Sequence, residues 1–401
     1  MKYTVNEVLQ FVQEEDVKFI RLAFCDVFGT HKNISIMPEE LPRAFEYGVA
    51  FDASAIEGFG DESHSDLYLH PDPDTLSVLP WRPEHGRVVR MYCSITYPNG
   101  APFEGDTRTF LKNAVRVAEK AGVQFDFGTE SEFYLFELDE RGNRTKVPFD
   151  RAGYMDIAPE DRGENVRREI CLMLEQMGIY PERSHHEEGP GQNEIDFRHS
   201  DPLTAADNAV TFRSVVKTVA GRNGLYADFS PKPLKDCPGN GMHINISVKS
   251  SDQKDMLDSV IAGIMANIKD ITVFLNHLEE SYERLGKDKA PAYISWSEGN
   301  RSQLVRIPLT SDKSRRAELR SADAMTNPYL AFALLIYAGT EGIQKALPLP
   351  EHADVNLYTV SEEKRAGYEK LPQSLEEAAD CAKNSGFVKK YVPQAIAKMF
   401  F

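Results

Sequence analysis

Four short segments of this 401-residue chain carry charged or polar side chains at alternate positions, and in three of them the residues between are mostly apolar. They are Glu130-Ser131-Glu132, Asn193-Glu194-Ile195-Asp196-Phe197, His243-Ile244-Asn245-Ile246-Ser247 and Arg316-Ala317-Glu318-Leu319-Arg320. Successive side chains of a strand point to opposite faces. The pattern predicts strands whose Ile, Leu, Phe and Ala face a core. Their other face brings carboxylates, one imidazole and guanidiniums to a shared cleft. Crowded carboxylates call for cations, and guanidiniums beside them for an anionic substrate.

Around these strands the chain reads as α+β. Lys18 to Phe24 and Val88 to Ile95 are strand-like, and residues up to about 103 hold few helical stretches. Proline and acidic turn signals near Pro102 to Asp106 suggest a boundary between residues 1–103 and 104–401. Beyond it, Asp106 or Thr107 is expected to cap a helix carrying Phe110, Ala114, Val117, Ala118 and Ala121, stopped by Gly122. Val166, Ile170, Leu174 and Met177 repeat at helical spacing. Thr204 with Asp207 resembles a capping box ahead of Phe212, Val216 and Val219. Met256 to Leu275 and the stretch from Pro328 complete the helical set, and a last helix is expected after Asn384-Ser385-Gly386.

The net charge of −16 argues against nucleic acid as a partner, because phosphate-binding surfaces need excess lysine and arginine. Five scattered cysteines form no CxxC pair, which fits a reduced, cytoplasmic protein and no thiolate zinc site. No apolar run approaches the ~20 residues that span a membrane.

Glu130, Glu132, Glu194 and Glu318 lie on the strand-like segments, and the Gly189-Pro190-Gly191 turn can fold Glu187 back beside Glu194. With His243 they form an oxygen-rich set suited to Mg2+ or Mn2+. The His185-His186 pair reads as structural. Arg284, Arg301, Arg306, Arg315, Arg316 and Arg320 fall within 37 residues and suit carboxylate or phosphate groups. Metals with arginines fit phosphoryl transfer. Neither a GxxxxGK[ST] loop nor a GxGxxG fingerprint after a strand is present.

The order and wording of seven segments resemble the type I glutamine synthetase family over nearly the whole chain. They include Phe51 to Gly58, Thr129 to Phe133, His185-His186-Glu187 with Pro190 to Phe197, and Lys232-Pro233. Gly241-Met242-His243, Asn300-Arg301-Ser302, and Arg316 to Arg320 followed by Asn327 to Ala331 continue the series. The resemblance implies an N-terminal β-grasp domain and a larger catalytic domain with a curved antiparallel sheet flanked by helices. It implies a homo-oligomeric ring with active sites between adjacent subunits, and ATP with two or more Mg2+ or Mn2+ as cofactors. One ion would lie on Glu132, Glu187 and Glu194, the other on Glu130, His243 and Glu318. Arg284 and Arg320 would grip glutamate, with Gly239 near its amino group. Arg301, Arg306 and Arg316 would face phosphates, and Ser247 the nucleotide. ATP would phosphorylate the glutamate γ-carboxylate, and ammonia would displace phosphate.

Departures gather at the ammonia site. Asp52 from the neighbouring subunit, Tyr154 and Glu187 match the family's ammonium cluster, but Ala55 replaces a serine and Lys289 replaces the glutamate before Ala290-Pro291. Pro238 stands where the family has asparagine, removing a backbone donor. These changes leave two alternatives open: a γ-glutamyl ligase for an organic amine, or a weakly catalytic relative that binds ATP and glutamate. Tyr358 reads as a loop tyrosine rather than an adenylylation site. Met399, Phe400 and Phe401 predict burial of the chain end, against another subunit for example.

Overall fold

The computed structural model describes residues 3–82, 85–252, 254–309 and 315–401. The first sheet holds β1 (Val17–Cys25), β2 (His31–Ile36), β3 (Val49–Asp52), β4 (Asp66–Pro71), β5 (Ser77–Val78) and β6 (Arg87–Thr96). Its order is β2-β1-β6-β4-β3, with β5 beside β6. β1 and β6 run parallel, and the remaining pairs are antiparallel. Helices α1 (Val5–Glu14) and α2 (Leu41–Tyr47) accompany this sheet, a β-grasp arrangement. Thr4 and Glu7 close a capping box at the start of α1.

The second sheet comprises β7 (Val123–Leu138), β8 (Arg144–Pro148), β9 (Pro181–His186), β10 (Gln192–Phe197), β11 (Leu225–Asp228) and β12 (Met242–Ser250). It is completed by β13 (Trp296–Glu298), β14 (Val305–Ile307) and β15 (Ala317–Leu319). The order is β13-β14-β15-β12-β7-β10-β9, with β8 and β11 also on β7. The sheet is mixed rather than wholly antiparallel. Residues 299–304 double back, so β13 and β14 run parallel.

Helices α3 (Thr107–Lys120), α4 (Glu164–Gln176), α5 (Pro202–Arg222), α6 (Leu257–Leu275), α7 (Glu279–Arg284) and α8 (Pro328–Gln344) belong to this larger part. Asp106 caps α3 by accepting the Arg108 N–H. At α5 the cap is Asp201, whose side chain accepts from the Thr204 N–H, rather than Thr204 itself. Pro202 favours an extended residue before it and a helix after it, which moves the start forward. Asp207 therefore does not serve the cap. Its carboxylate takes Arg108 Nε at 3.0 Å, Arg108 Nη2 at 2.9 Å and the Tyr329 hydroxyl at 2.6 Å.

One buried cluster runs from the first sheet, with Ile20, Leu22, Val89 and Met91, into the layer between the second sheet and its helices. Phe127 stacks on Phe332 of α8 at 4.4 Å, and Phe133 packs on Phe212 and Phe229. Gly263 and Gly342 let α6 and α8 cross closely, because a Cβ on Gly263 would stand 2.2 Å from the Ala338 carbonyl oxygen. Asn327 caps α8 and also donates to the Val27 carbonyl at 2.9 Å, tying the helix to the first sheet.

The C-terminal stretch after Asn384 forms two short helices, Gly386–Tyr391 and Gln394–Ala397, with Pro393 preventing one continuous helix. Its apolar end packs within its own chain: the Phe400 ring lies 5.4 Å from Phe28 and 4.7 Å from Phe274. Among the described residues, no helix is long and apolar enough to cross a membrane.

His31, at the start of β2, is held at a pKa of about 3 by burial and by the charges of Arg90, Arg213 and Arg21. The unfolded chain takes up this proton near the ordinary value of 6.5, so stability falls as pH drops from there toward 3. Urea midpoints measured between pH 7 and 4 are expected to fall less steeply for His31→Gln than for wild type.

Candidate active site

Strand register builds the site. His243 on β12 stands opposite Glu130 on β7, which stands opposite Asp196 on β10, itself opposite Arg183 on β9. In the next row His185, Glu194 and Glu132 are aligned. A third row joins Arg306, Glu318 and Asn245. The intervening Phe133, Ile195, Ile244, Ile246, Ala317 and Leu319 are buried in the core, so the cleft residues share one face.

A cleft of about 530 Å³ is lined by Glu130, Glu132, Glu187, Glu194, His243 and Tyr154. Arg284, Arg301, Arg306, Arg316, Arg320 and Gly239 line the same cleft. His243 Nδ1 lies 3.2 Å from Glu130 and 3.6 Å from Glu318. Glu318 is fully buried below the cleft, engaged by Arg306 at 2.6 Å and Arg320 at 3.1 Å. Arg284 is also buried, donating to the Ser321 carbonyl at 2.9 Å. It passes over Gly239, where a Cβ would approach its side chain to 2.9 Å.

Within the cleft, ligand atoms of the described residues cluster in two overlapping groups: Glu130, Glu194 and His243, and His185, Glu187 and Glu194. Glu194 belongs to both. Glu132 instead accepts the Gly241 N–H at 2.6 Å. His185 corrects the reading of the histidine pair as structural. It lies 3.0 Å from Glu187 and 3.8 Å from Glu194, because β9 pairs with β10 and turns it to the cleft. His186 points the other way, fully buried, with Nε2 2.8 Å from Asp150 and Nδ1 2.7 Å from the Glu187 carbonyl.

Burial and the nearby Asp196, Glu132 and Glu130 push Glu194 well above the usual carboxylate range. Burial and Glu130 raise Asp196 to about 6, and burial also raises Glu132. Against its own burial, Glu130 is held at about 2 by His243 and Asn245. One buried oxygen of Asp196 has no partner among the described residues. Around Glu194, Glu132 and Asp196 the carboxyls crowd one another beyond what the nearby cations relieve. Hard oxygen donors with one imidazole in each cluster fit a divalent cation such as Mg2+ or Mn2+.

Two of the expected residues stand apart from this cleft. Asp52, exposed on β3, accepts from the Ser54 hydroxyl at 2.6 Å, and Ser247 is bonded to His199 at 3.0 Å. Conversely, Arg183, His185 and Asp196 line the cleft although sequence reasoning named none of them as a site residue. Their alternation along β9 and β10 is the signal that could have found them.

Lys289 lines the same cleft, with φ +70°, and forms an ion pair with Glu188. Its neighbour Asp288 pairs with Lys232 at 2.5 Å. Glu188→Gln is expected to uncover the Lys289 charge and raise the KM for a cationic substrate about 2- to 5-fold with little change in kcat; both groups are partly exposed and screened. Steady-state kinetics at fixed ionic strength measures this.

A curled sheet presenting crowded carboxylates together with several arginines, beside a β-grasp domain, is the architecture of an enzyme for anionic substrates. Residues 16–98 match the family model of the glutamine synthetase beta-Grasp domain, and residues 104–401 that of the glutamine synthetase catalytic domain. The chain is 45% identical to a glutamine synthetase of Methanosarcina mazei, covering 96% of this chain and 90% of that protein. It is 43% identical to one of Clostridium saccharobutylicum, covering 97% and 91%. A solved structure described as a GmaS/ADP complex superposes with a TM-score of 0.88 at 26% identity, covering 98% of this chain and 94% of that one. The chain belongs to the glutamine synthetase family.

Proposed function

We propose that this chain is an ATP-dependent ligase that joins ammonia to the γ-carboxylate of L-glutamate, giving glutamine, ADP and phosphate. The observation that carries this reading is the acidic cleft that five arginines also line. The GmaS relative's complex with ADP supports a nucleotide substrate. The domains are residues 1–103 and 104–401, working in the cytoplasm as a homo-oligomeric ring.

Arg284 and Arg320 orient the glutamate carboxylates, with Gly239 near its amino group. Arg301, Arg306 and Arg316 meet the phosphates, and Ser247 lies on the nucleotide's path. A γ-carboxylate oxygen bonds to the γ-phosphorus of ATP as the bond to the β,γ-bridging oxygen breaks and ADP departs. The nitrogen lone pair of ammonia then attacks the activated carbonyl carbon, and phosphate leaves with the C–O bond electrons. Glu187 and Tyr154, with Asp52 from an adjacent subunit, hold the ammonium, and one of the two carboxylates accepts its proton. Glu132, Glu187 and Glu194 would hold one divalent ion, and Glu130, His243 and Glu318 another. Such ions supply positive charge where the phosphoryl group carries negative charge.

Phosphate release with ATP, glutamate and Mg2+ or Mn2+, with ammonia present or withheld, tests the reading. Ammonia-stimulated release with glutamine formed is the expected result. Release that is independent of glutamate, or absent under every condition, overturns it.

A further inference from the structure

Away from the acidic cleft, a second cavity of about 420 Å³ lies where the first sheet meets α5. Its walls carry Arg21 from β1, His31 from β2, Arg90 from β6, Arg82 and, from α5, Arg222. No acidic residue lines it among the described residues, although the chain has 62 Asp and Glu against 46 Lys and Arg. None of these four arginines forms an ion pair among the described residues; Arg90 is buried, Arg21 half-buried, and Arg82 and Arg222 exposed at the rim. Arg21 and Arg82 lie close enough for their charges to oppose one another.

Two lining residues each hold one buried nitrogen without a hydrogen-bond partner among the described residues, and the Arg90 guanidinium also lies 4.0 Å over the Tyr92 ring. Arg90 is 7% exposed, and its Nη1 donates to Thr211 at 2.5 Å while its Nε has no partner. His31 Nδ1 is engaged with the Ser214 hydroxyl at 2.8 Å, and its buried Nε2 has no partner. Like charges gathered without counterions, beside orphaned polar atoms, cost stability unless something completes them. The volume suits a small molecule.

We propose that this interdomain cavity is a binding site for a small anion bearing two or more negative charges, a phosphate group or a dicarboxylate, distinct from the substrate cleft. The guanidinium forks of Arg21, Arg90 and Arg222 match planar carboxylate or phosphate oxygens. Because the walls come from both sheet and helix, an occupant ties β1, β2 and β6 to α5.

The test follows thermal unfolding of the full-length enzyme at constant ionic strength, with inorganic phosphate or succinate titrated against chloride. A saturable rise in Tm is expected in wild type and absent in chloride. In Arg21→Gln and Arg222→Gln the apparent affinity is expected to drop at least about 10-fold, with KM for glutamate and ATP unchanged. The ligand-free Arg21→Gln protein is expected to melt no lower than wild type, since it loses repulsion and no ion pair. A response to phosphate alone assigns phosphate-bearing ligands, and one to succinate alone assigns dicarboxylates. No saturable shift in wild type, or a shift of equal affinity in both variants, overturns the site and leaves the proposed ligase activity untouched.

Discussion

Glu194→Gln is expected to reduce glutamate-dependent phosphate release by on the order of 10³-fold while leaving the metal-free protein at least as heat-stable as wild type. Opposite signs for function and stability follow from the surroundings of this side chain. Glu194 is buried, shares both ligand clusters and stands near Asp196, Glu132 and Glu130, all of which raise its pKa. A carboxyl whose pKa is higher folded than unfolded costs stability above the unfolded value, and the cost disappears as pH falls below it. The amide has similar shape and no charge, so it removes that cost. Mn2+ or Mg2+ at 100 times its Kd stabilises a protein by about 2.7 kcal/mol, and the variant is expected to lose most of this gain. Unfolding curves with chelator and with metal separate the two effects. Chelator-treated Glu194→Gln melting clearly below wild type would show that the carboxylate is fully compensated without metal.

Asp207→Ala is expected to cost about 3–5 kcal/mol of stability, the typical penalty for stranding a buried charge. Arg108 is 3% exposed and divides its guanidinium between Asp207 and Asp72, the latter at 2.9 Å. Removing Asp207 leaves one partly buried carboxylate for that cation and strands the buried Tyr329 hydroxyl as well. Asp207→Asn keeps an acceptor for Tyr329 and is expected to fall between alanine and wild type. Urea midpoints at pH 7 provide the measurement. A loss below about 1 kcal/mol would mean that Asp72 alone holds Arg108.

The strands of the acidic cleft were legible because their alternation survives in short segments. Glu130, Glu132, Glu194 and His243 could be placed on one face without knowing which strands are neighbours. What the linear pattern could not carry was pairing. His185 enters the cleft only because β9 lies beside β10. The Arg108–Asp207–Asp72 cluster joins residues 36 and 99 positions apart, so it has no local signature. The α5 cap was misread because two hydroxyl and acid residues fit the same spacing, and Pro202 decided between them. The packing of Phe400 on Phe28 and Phe274 is likewise set by tertiary proximity, not by spacing.

The three aligned rows across β9, β10, β7, β12, β15 and β14 also act as a proofreading device during folding. Sliding any one strand by a single residue turns its carboxylate or guanidinium into the apolar layer and its Ile or Phe out to water. Each cleft residue thus penalises misregistered sheets many times over. A one-residue deletion within β10 or β12 should prevent assembly of the native ladder, whereas a two-residue deletion keeps the alternation of faces. The chemistry of the cleft and the accuracy of the sheet are guarded by the same side chains.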